Sequence, residues 1–380
     1  MKKIVIITST RADYSILKNL IFNFKKNKKM SLELIISGTH LNKKYGNTIK
    51  EIDDLKSIKH KKIDINVKSS SEVDISKTFS LCVKKFTNYL KKNKTDLVIL
   101  LGDRYEILAF AVSCLISRIP IAHIHGGEVT QNVIDDSIRH SITKMSQIHF
   151  VANESYKKRV AQLGEESSRI FKVGGLGAYN LSKEKFLSKK DVLKKIGIPH
   201  LNKYILICFH PETLNKNTTL KKFKKVLNAL RYFKDQFFLF TMPNADQESD
   251  YIYFEIKKFI SNFPNSKLIK SLGNKYYYSF LKHSELLIGN SSSGVLEAPS
   301  AKVPSLNIGN RQTGRVMAKS VINCDFNEKN IRKKINYLLK MKKKLSYKNP
   351  YYNGNTPLKI IKILENLNFN NLINKKFKDI

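Results

Sequence analysis

Titratable side chains concentrate in one stretch of the sequence, between Asp103 and Asp136. Asp103 follows an apolar run, His125 and Glu128 follow the next one, and Asp135 and Asp136 come just before a helical pattern. General acids and bases at one edge of a sheet suit proton transfer at a carbon or glycosyl centre. The alternative is structural, because Asp is also common in turns after strands and at helix N-caps. We treat these residues as candidate acid/base groups.

The spacing in this stretch argues against two other kinds of site. His123, His125 and Glu128 form an HxHxxE pattern that matches no strong zinc motif, so we expect no metal. The sequence contains no GxSxG elbow, which disfavours a Ser–His–Asp hydrolase.

A Ser-rich turn, Gly289–Gly294, is the candidate phosphate site. It ends an apolar run and precedes helix formers, and amides and hydroxyls at a helix start bind anions, although a plain Ser N-cap is the alternative. Glu297 would accept hydrogen bonds from ribose hydroxyls or complement the helix dipole. Arg311 and Arg315 flank a Gly-bounded loop, and arginine binds phosphate bidentately. His210 is a nucleotide or phosphate donor, or else a core histidine.

Two common nucleotide motifs are missing from the sequence. No GxxxxGK[ST] occurs, which argues against a P-loop NTPase, and no GxGxxG follows the first predicted strand, which argues against a standard dinucleotide site.

Short apolar runs alternate with helix-length segments, a pattern typical of βαβ units and mostly parallel sheets. The pattern restarts after residue 199, which indicates two α/β halves with a boundary within 175–200. Polar residues follow the strands of both halves, and open α/β sheets bind ligands at the carboxyl ends of their strands, so we expect a cleft between the halves. The predicted strands are Ile4–Thr8, Leu32–Ser37, Lys62–Ile65, Leu97–Leu101, Ile119–His125, Ile148–Val151, Ile170–Val173, Tyr204–Phe209, Phe237–Thr241, Lys267–Ile269, Leu286–Ile288, Pro304–Ile308 and Val321–Cys324.

Composition disfavours several classes of protein. The chain is 42% hydrophobic, too apolar for a disordered chain, yet its longest apolar runs are too short to cross a membrane. Lys+Arg number 69 against 31 Asp+Glu, a formal net charge of +38, but only ten are arginine and the lysines are scattered. We interpret this charge as a solvated surface, not as a nucleic-acid site. Four isolated cysteines without a CxxC argue against a zinc ribbon or a disulfide framework and fit a reducing cytoplasm.

Seven motifs, in order through roughly residues 1–325, resemble those of the hydrolysing UDP-N-acetylglucosamine 2-epimerases. They are Thr10-Arg11-Ala12-Asp13-Tyr14, Gly102-Asp103-Arg104, His125-Gly126-Gly127-Glu128, Asp135-Asp136-Ser137-Ile138-Arg139-His140, His210-Pro211, Gly289-Asn290-Ser291-Ser292 and Arg311-Gln312-Thr313-Gly314-Arg315.

The resemblance implies an α/β fold of two Rossmann-like domains with parallel sheets facing a central cleft, the glycosyltransferase-B arrangement. We expect an N-terminal domain at 1–175 that acts on the sugar, a UDP-binding domain at 176–365 whose last helix packs back on the first domain, and a tail at 366–380. The implied reaction converts UDP-N-acetylglucosamine and water to N-acetylmannosamine and UDP, by anti elimination to a glycal and hydration. It serves bacterial sialic-acid-type sugar synthesis and implies no cofactor.

The resemblance also assigns residues by motif. Animal members have Glu where His125 stands, while some bacterial members have His. The acid/base group in the sugar pocket would be Asp103, His125, Asp135, Asp136 and Arg139, of which Arg139 steers charge. The substrate- and UDP-binding residues would be Arg11, His40, His210, Asn244, Ser291, Ser292, Glu297 and Arg311.

Several alternatives stay open at this point. A UDP- or GDP-linked N,N'-diacetylbacillosamine, on the way to legionaminic acid, is the close alternative substrate. A glycosyltransferase of the same two-domain shape is a remote alternative, and an RNA-binding protein is motivated by charge alone. We expect a nucleotide-sugar partner, a homodimer or homotetramer and a cytoplasmic location, with no nucleic-acid partner and no stable membrane insertion.

Overall fold

Two units, each with its own parallel sheet, make up the chain. The computed structural model describes residues 1–43, 48–52, 55–68, 71–131, 133–211, 219–243, 249–269 and 273–379. Unit 1 comprises Met1–Glu128, Asp135–Tyr179 and Tyr351–Ile380, and unit 2 comprises Val129–Ile134 and Asn180–Pro350. The predicted α/β class with two parallel sheets is confirmed.

Unit 1 contains a seven-stranded sheet in the order β3-β2-β1-β4-β5-β6-β7, with every neighbouring pair parallel. Its strands are β1 Lys2–Thr8, β2 Met30–Ile36, β3 His60–Lys62, β4 Leu97–Leu101, β5 Ile121–Ile124, β6 Ile148–Val151 and β7 Ile170–Lys172. Its helices are α1 Arg11–Lys25, α2 Glu72–Lys92, α3 Tyr105–Ile116, α4 Asp135–Met145 and α5 Glu154–Gln162, and the C-terminal α14 Thr356–Asn366. Helix α6, Leu176–Lys183, begins in unit 1 and ends in unit 2.

The continuous apolar strands of unit 1 are explained by burial of both sheet faces. Ile4 and Ile6 of β1 pack with α1 and α14 on one face, whereas Val5 and Ile7 pack with α2 and α3 on the other. Helix α1 starts with a capping box in which Thr10 and Asp13 each accept a hydrogen bond from the other's backbone amide. This box fixes the turn between β1 and α1.

Unit 2 contains a six-stranded parallel sheet in the order β10-β9-β8-β11-β12-β13. Its strands are β8 Ile205–Cys208, β9 Phe238–Thr241, β10 Ser266–Ile269, β11 Leu286–Gly289, β12 Ser305–Ile308 and β13 Val321–Cys324. Its helices are α7 Lys189–Lys195, α8 Thr219–Arg231, α9 Ser249–Ser261, α10 Asn274–His283, α11 Ser293–Leu296, α12 Ala298–Ala301 and α13 Glu328–Met341. Ile205 and Ile207 pack with α8, α9 and α13, and Leu206 and Cys208 pack with α7, α10 and α12.

One predicted strand is displaced in the structure. The strand predicted at Lys62–Ile65 lies at His60–Lys62, where it pairs with the end of β2. Ile63 and Ile65 are buried in the connection that follows this strand, so their apolar character comes from packing against the core under α2. The alternating apolar residues Ile63 and Ile65 therefore belong to a buried connection and not to an edge strand.

The residues after α14 are held to unit 1 by a buried ionic cluster. The Glu165 carboxylate is 2.9 Å from Lys375 Nζ, 2.8 Å from Lys144 Nζ and 3.0 Å from His149 Nε2. Arg169 donates to the Leu372 carbonyl at 2.7 Å. The predicted division at 175/176 and 365/366 stays a prediction, and the compact units change between Tyr179 and Asn180 and again at Tyr351.

No helix in the described ranges combines the length and the apolar character that crossing a membrane requires.

We expect Glu165→Gln to lower the free energy of unfolding by roughly 2–4 kcal/mol at pH 7, because the charge-assisted hydrogen bonds from Lys144 and Lys375 to a buried carboxylate are lost. Burial raises the Glu165 pKa, but hydrogen bonds from His149, Lys144 and Lys375 outweigh it and lower the pKa from 4.5 to about 2. The stabilisation is therefore complete above about pH 4.5 and is lost as the pH falls towards 2. Urea unfolding at several pH values should show the difference from wild type shrinking on acidification.

Glu154→Gln is the matched control, because Glu154 pairs with Lys172 at 3.0 Å and both side chains are about half exposed. We expect no measurable loss of stability from this exposed pair. Equal losses in the two variants would contradict the role assigned to Glu165.

Candidate active site

Arg139 lies at the centre of the predicted acid/base group. Its guanidinium is 3% exposed, and its Nη2 donates to Asp103 Oδ2. Its Nη1 donates to Asp136 Oδ1 at 3.2 Å and to the Glu128 carbonyl at 2.9 Å. These partners come from the turn after β4, the turn after β5 and the first turn of α4, which meet at the carboxyl edge of the unit 1 sheet. Asp135 is the half-buried first residue of α4.

The charge of this cluster is balanced locally. Burial alone would lower the Arg139 pKa, but the negative charges of Asp103, Glu128 and Asp136 outweigh it and raise the pKa. The guanidinium is therefore permanently cationic. It holds two carboxylates that are partly exposed, Asp103 at 24% and Asp136 at 31% of the side chain.

His125 occupies a tight turn after β5. Its φ of +70° lies in the left-handed region, which is uncommon for a residue with a side chain. Its Nδ1 is 2.8 Å from Glu128 Oε1, and its buried Nε2 has no hydrogen-bond partner among the described residues. The ring is therefore in close contact with a carboxylate on one side, and its second nitrogen is buried and unpartnered among the described residues.

The two glycines after His125 allow this turn. A Cβ on Gly127, whose φ is +74°, would lie 2.6 Å from the Tyr156 carbonyl oxygen, and a Cβ on Gly126 would lie 2.9 Å from Thr143 Oγ1. Arg159 donates to the Gly127 carbonyl at 2.5 Å. Only glycine fits this approach of the turn to α4 and α5.

His123 has a structural position, in contrast to His125. Its Nε2 is 2.8 Å from the Gly102 carbonyl and its Nδ1 is 3.0 Å from Thr143 Oγ1. Burial lowers the His123 pKa to about 3, so the ring is neutral at physiological pH. Both ring nitrogens are occupied, and His123 supports the turn that contains Gly102.

Arg11 and His40, both expected to bind substrate, have different positions. Arg11 is the half-buried first residue of α1. His40 is completely buried, with Nε2 3.0 Å from Thr8 Oγ1 and Nδ1 2.9 Å from Thr48 Oγ1. Thr8 in turn contacts the Asp13 carboxylate, which also accepts from the Ser9 and Thr10 amides. His40 therefore supports the turn that contains Arg11 and has no exposed atom for a ligand.

In unit 2, Asn290 organises the predicted nucleotide-binding residues. It follows β11, is completely buried, and exchanges two 2.8 Å hydrogen bonds with the backbone of His210. Its carbonyl accepts from Arg311 Nη1 at 3.1 Å and from Gln312 Nε2 at 2.9 Å. Because β8, β11 and β12 are neighbours in the sheet, Asn290 joins three adjacent strand ends.

His210 is neutral in this arrangement. Burial, and then the charge of Arg311, lower the His210 pKa to about 3. It can therefore serve as a neutral donor or acceptor, and not as a cation for a phosphate.

The Ser-rich turn follows Asn290 and leads into a very short helix. Ser291 and Ser292 are half-buried, and Ser291 Oγ accepts from the Ser293 amide at 3.3 Å. Tyr277 Oη donates to Ser293 Oγ at 2.6 Å. Glu297 is buried between α11 and α12.

Arg315 has contacts within unit 2, and its expected role at a phosphate stays a prediction. Arg315 donates to the Val129 carbonyl at 3.1 Å and to Thr130 Oγ1 at 3.2 Å, so it holds a chain segment in place. Asn244 lies outside the described residues. Within the described ranges, no three His, Cys, Asp or Glu side chains are grouped as a metal site would require.

Sequence reasoning missed the residues that connect these groups. Asn290 and Gln312 are each a single polar residue inside a motif, and Tyr277 lies in a helix with no motif at all. Of the connecting residues, only Asp13 could have been recognised from the sequence, through the Thr10-x-x-Asp13 pattern of a capping box.

The chain is similar to proteins of one family throughout its length. A family described as UDP-N-acetylglucosamine 2-epimerase matches residues 23–365. The GDP/UDP-N,N'-diacetylbacillosamine 2-epimerase (hydrolyzing) of Campylobacter jejuni is 40% identical over 86% of this chain and 85% of its own. The polysialic acid biosynthesis protein P7 of Escherichia coli is 38% identical over 100% of this chain and 97% of its own.

The fold is also that of a solved relative. The crystal structure of UDP-GlcNAc 2-epimerase from Neisseria meningitidis, bound to UDP-GlcNAc, superposes with a TM-score of 0.81 at 19% identity, covering 96% of this chain and 99% of that one. The predicted fold of two Rossmann-like domains is confirmed by this likeness.

We expect Gly127→Ala to destabilise the protein by about 2–4 kcal/mol, because the new methyl group combines a left-handed φ with a clash at the Tyr156 carbonyl. Gly354→Ala is the matched control, since its φ is +66° and nothing lies within 4 Å of its Cβ position. That variant should cost only about 1 kcal/mol. Urea unfolding of both variants measures the difference, and equal losses would rule out close packing as the reason for glycine at 127.

Proposed function

Because this chain belongs to the UDP-N-acetylglucosamine 2-epimerase family, we propose that it is a hydrolysing 2-epimerase of nucleotide sugars. The proposal rests on the cluster in which the buried Arg139 binds Asp103 and Asp136 at the carboxyl edge of the unit 1 sheet, where His125 also follows a strand. The naming of the Campylobacter jejuni relative as hydrolysing supports the same reaction type.

Two substrates are supported by specific observations. UDP-N-acetylglucosamine, converted with water to N-acetylmannosamine and UDP, is our first choice, and the E. coli relative supports a sialic-acid-type pathway. The UDP- or GDP-linked N,N'-diacetylbacillosamine is the second, because the Campylobacter jejuni relative is named for it at 40% identity.

In this proposal, residues of unit 1 carry out the proton transfer at the sugar C2. The C2 proton is weakly acidic, so a base must be held against it away from bulk water. As that proton leaves, its electron pair forms the C1=C2 bond of a glycal and the C1–oxygen bond breaks. Asp103, His125, Asp135 and Asp136 provide the candidate acid/base groups, and Arg139 balances their charge.

Residues at other strand ends stabilise the leaving UDP in this proposal. Its developing negative charge needs fixed donors, and Arg11, Arg311 and the Ser291–Ser292 turn provide a cation and hydroxyl or amide donors. His210 and Glu297 contact the nucleotide as neutral donor and ribose acceptor in this assignment. His40 acts indirectly, through the turn that contains Arg11.

Hydration of the glycal completes the reaction. The oxygen of water adds to C1, and a proton returns to C2 from the opposite face, which gives the manno configuration. The catalytic acid and base are regenerated when they exchange protons with water. No carbon is oxidised or reduced overall and no phosphoryl group is transferred, so the chemistry itself requires no nicotinamide.

The proposed reaction is tested by proton NMR of the protein in heavy water with each of the two nucleotide sugars. We expect a free manno-configured sugar carrying deuterium at C2, together with free nucleoside diphosphate, and no requirement for an acceptor. The sugar nucleotide that is consumed identifies the substrate. A requirement for an acceptor would instead indicate a glycosyltransferase.

We expect Asp103→Asn to lower the rate of UDP release by roughly 10²–10⁴-fold, because one acid/base carboxylate is lost. UDP affinity should be almost unchanged, since the proposed diphosphate donors are intact. Asp64→Asn, at an exposed carboxylate of the same unit, is the matched control. UDP release and calorimetric UDP binding measure the two effects, and wild-type turnover in Asp103→Asn would refute the assignment.

A further inference from the structure

We propose that Glu128 is a positioning residue that fixes the tautomer and orientation of His125, so that Nε2 exchanges the proton at the sugar C2. This inference rests on the proposed function, and it assigns a role to a carboxylate that the site assignments above leave without one.

The first argument is the pairing of the two side chains. His125 Nδ1 and Glu128 Oε1 are 2.8 Å apart, and their side chains are only 12% and 3% exposed. The contact is not aligned as a hydrogen bond, but a lone pair on Nδ1 held 2.8 Å from a carboxylate oxygen would be repelled. The proton of a neutral imidazole therefore stays on Nδ1, and the lone pair is left on Nε2. That nitrogen has no hydrogen-bond partner among the described residues.

The second argument is the rigidity of the turn. His125 has a φ of +70°, Gly127 leaves no room for a Cβ beside the Tyr156 carbonyl, and the Gly127 carbonyl accepts from Arg159. Strained backbone that the surroundings maintain is concentrated at functional sites. The position of Glu128 is thereby fixed relative to the ring.

The third argument is that one residue connects two parts of the site. The Glu128 side chain faces His125, while its backbone carbonyl accepts from Arg139 at 2.9 Å, and Arg139 binds Asp103 and Asp136. A change of the side chain leaves the carbonyl in place. The hydrogen bond to Arg139 is therefore kept when the side chain is substituted, although the Glu128 charge near Arg139 is lost.

The other buried histidines of unit 1 do not share this arrangement. His123 has both ring nitrogens occupied. His149 is paired with Glu165, but it lies near the start of β6, away from the carboxyl edge of the sheet, and its side chain is completely buried. Both ring nitrogens of the buried His40 are also occupied. Of these four histidines, His125 alone combines a close contact on one nitrogen, a second nitrogen that is unpartnered among the described residues, and a place at the strand end.

The proton balance of the step is simple. The C2 proton passes to Nε2, its electron pair forms the C1=C2 bond, and UDP leaves with the electrons of the C1–oxygen bond. The imidazolium that forms is stabilised by the Glu128 carboxylate, and it gives the proton to water before the next turnover.

We expect Glu128→Gln to lower kcat by roughly 10²–10⁴-fold with KM changed less than threefold, because the charge that stabilises the imidazolium is lost. In a His125→Gln background the same substitution should change the residual rate less than twofold. Glu165→Gln, at the matched His–Glu pair of β6, should leave kcat unchanged at temperatures where it is folded. An equal loss in both His125 backgrounds, or a kcat within twofold of wild type, would overturn the proposal.

Nitrogen-15 NMR of the histidines in the ligand-free protein gives an independent measurement. We expect His125 to be protonated on Nδ1 and unprotonated on Nε2 in wild type, and to populate both tautomers in Glu128→Leu, which has no acceptor. A protonated Nε2 in the neutral wild-type ring would overturn the proposal. Failure of the wild type to release sugar would refute the proposed function, while this measurement would still decide whether Glu128 orients the ring.

Discussion

The buried positive charge of Arg139 is the constraint on which the unit 1 site depends. A guanidinium that is 3% exposed costs several kcal/mol to desolvate unless its donors are matched by acceptors. Asp103, Asp136 and the Glu128 carbonyl supply those acceptors from three different segments. The turns after β4 and β5 and the start of α4 must therefore hold one relative position, and the same positions present the carboxylates to a ligand.

In unit 2, the strand ends are held in position by hydrogen bonds of Asn290 and not by a buried ion pair. Asn290 joins the ends of β8, β11 and β12 through amide and carbonyl hydrogen bonds, and it uses one Arg311 nitrogen as a donor. Neutral hydrogen bonds to backbone groups cost less to bury than charges do.

Much of this architecture could be predicted because buried parallel strands leave a simple signal. β4, β6 and β13 have the predicted bounds, and in β4 the reason is plain, because both faces of the sheet are covered and the apolar run is continuous. β3 could not be placed, because its residues are partly exposed and the buried Ile63 and Ile65 follow it. The connecting residues, Asn290 above all, could not be found either, because a long-range hydrogen bond of one side chain produces no periodicity.

The pairing of His125 with Glu128 also explains why an imidazole suits this position. A carboxylate at 125 would face Glu128 across a distance close to 2.8 Å in a turn that is largely shielded from water. Two ionised carboxylates so placed would repel each other, which would raise the pKa of one of them. A neutral imidazole meets no such repulsion, and the adjacent carboxylate stabilises its protonated form. The identities of residues 125 and 128 are thus physically coupled, and a substitution at one position changes what the other can do.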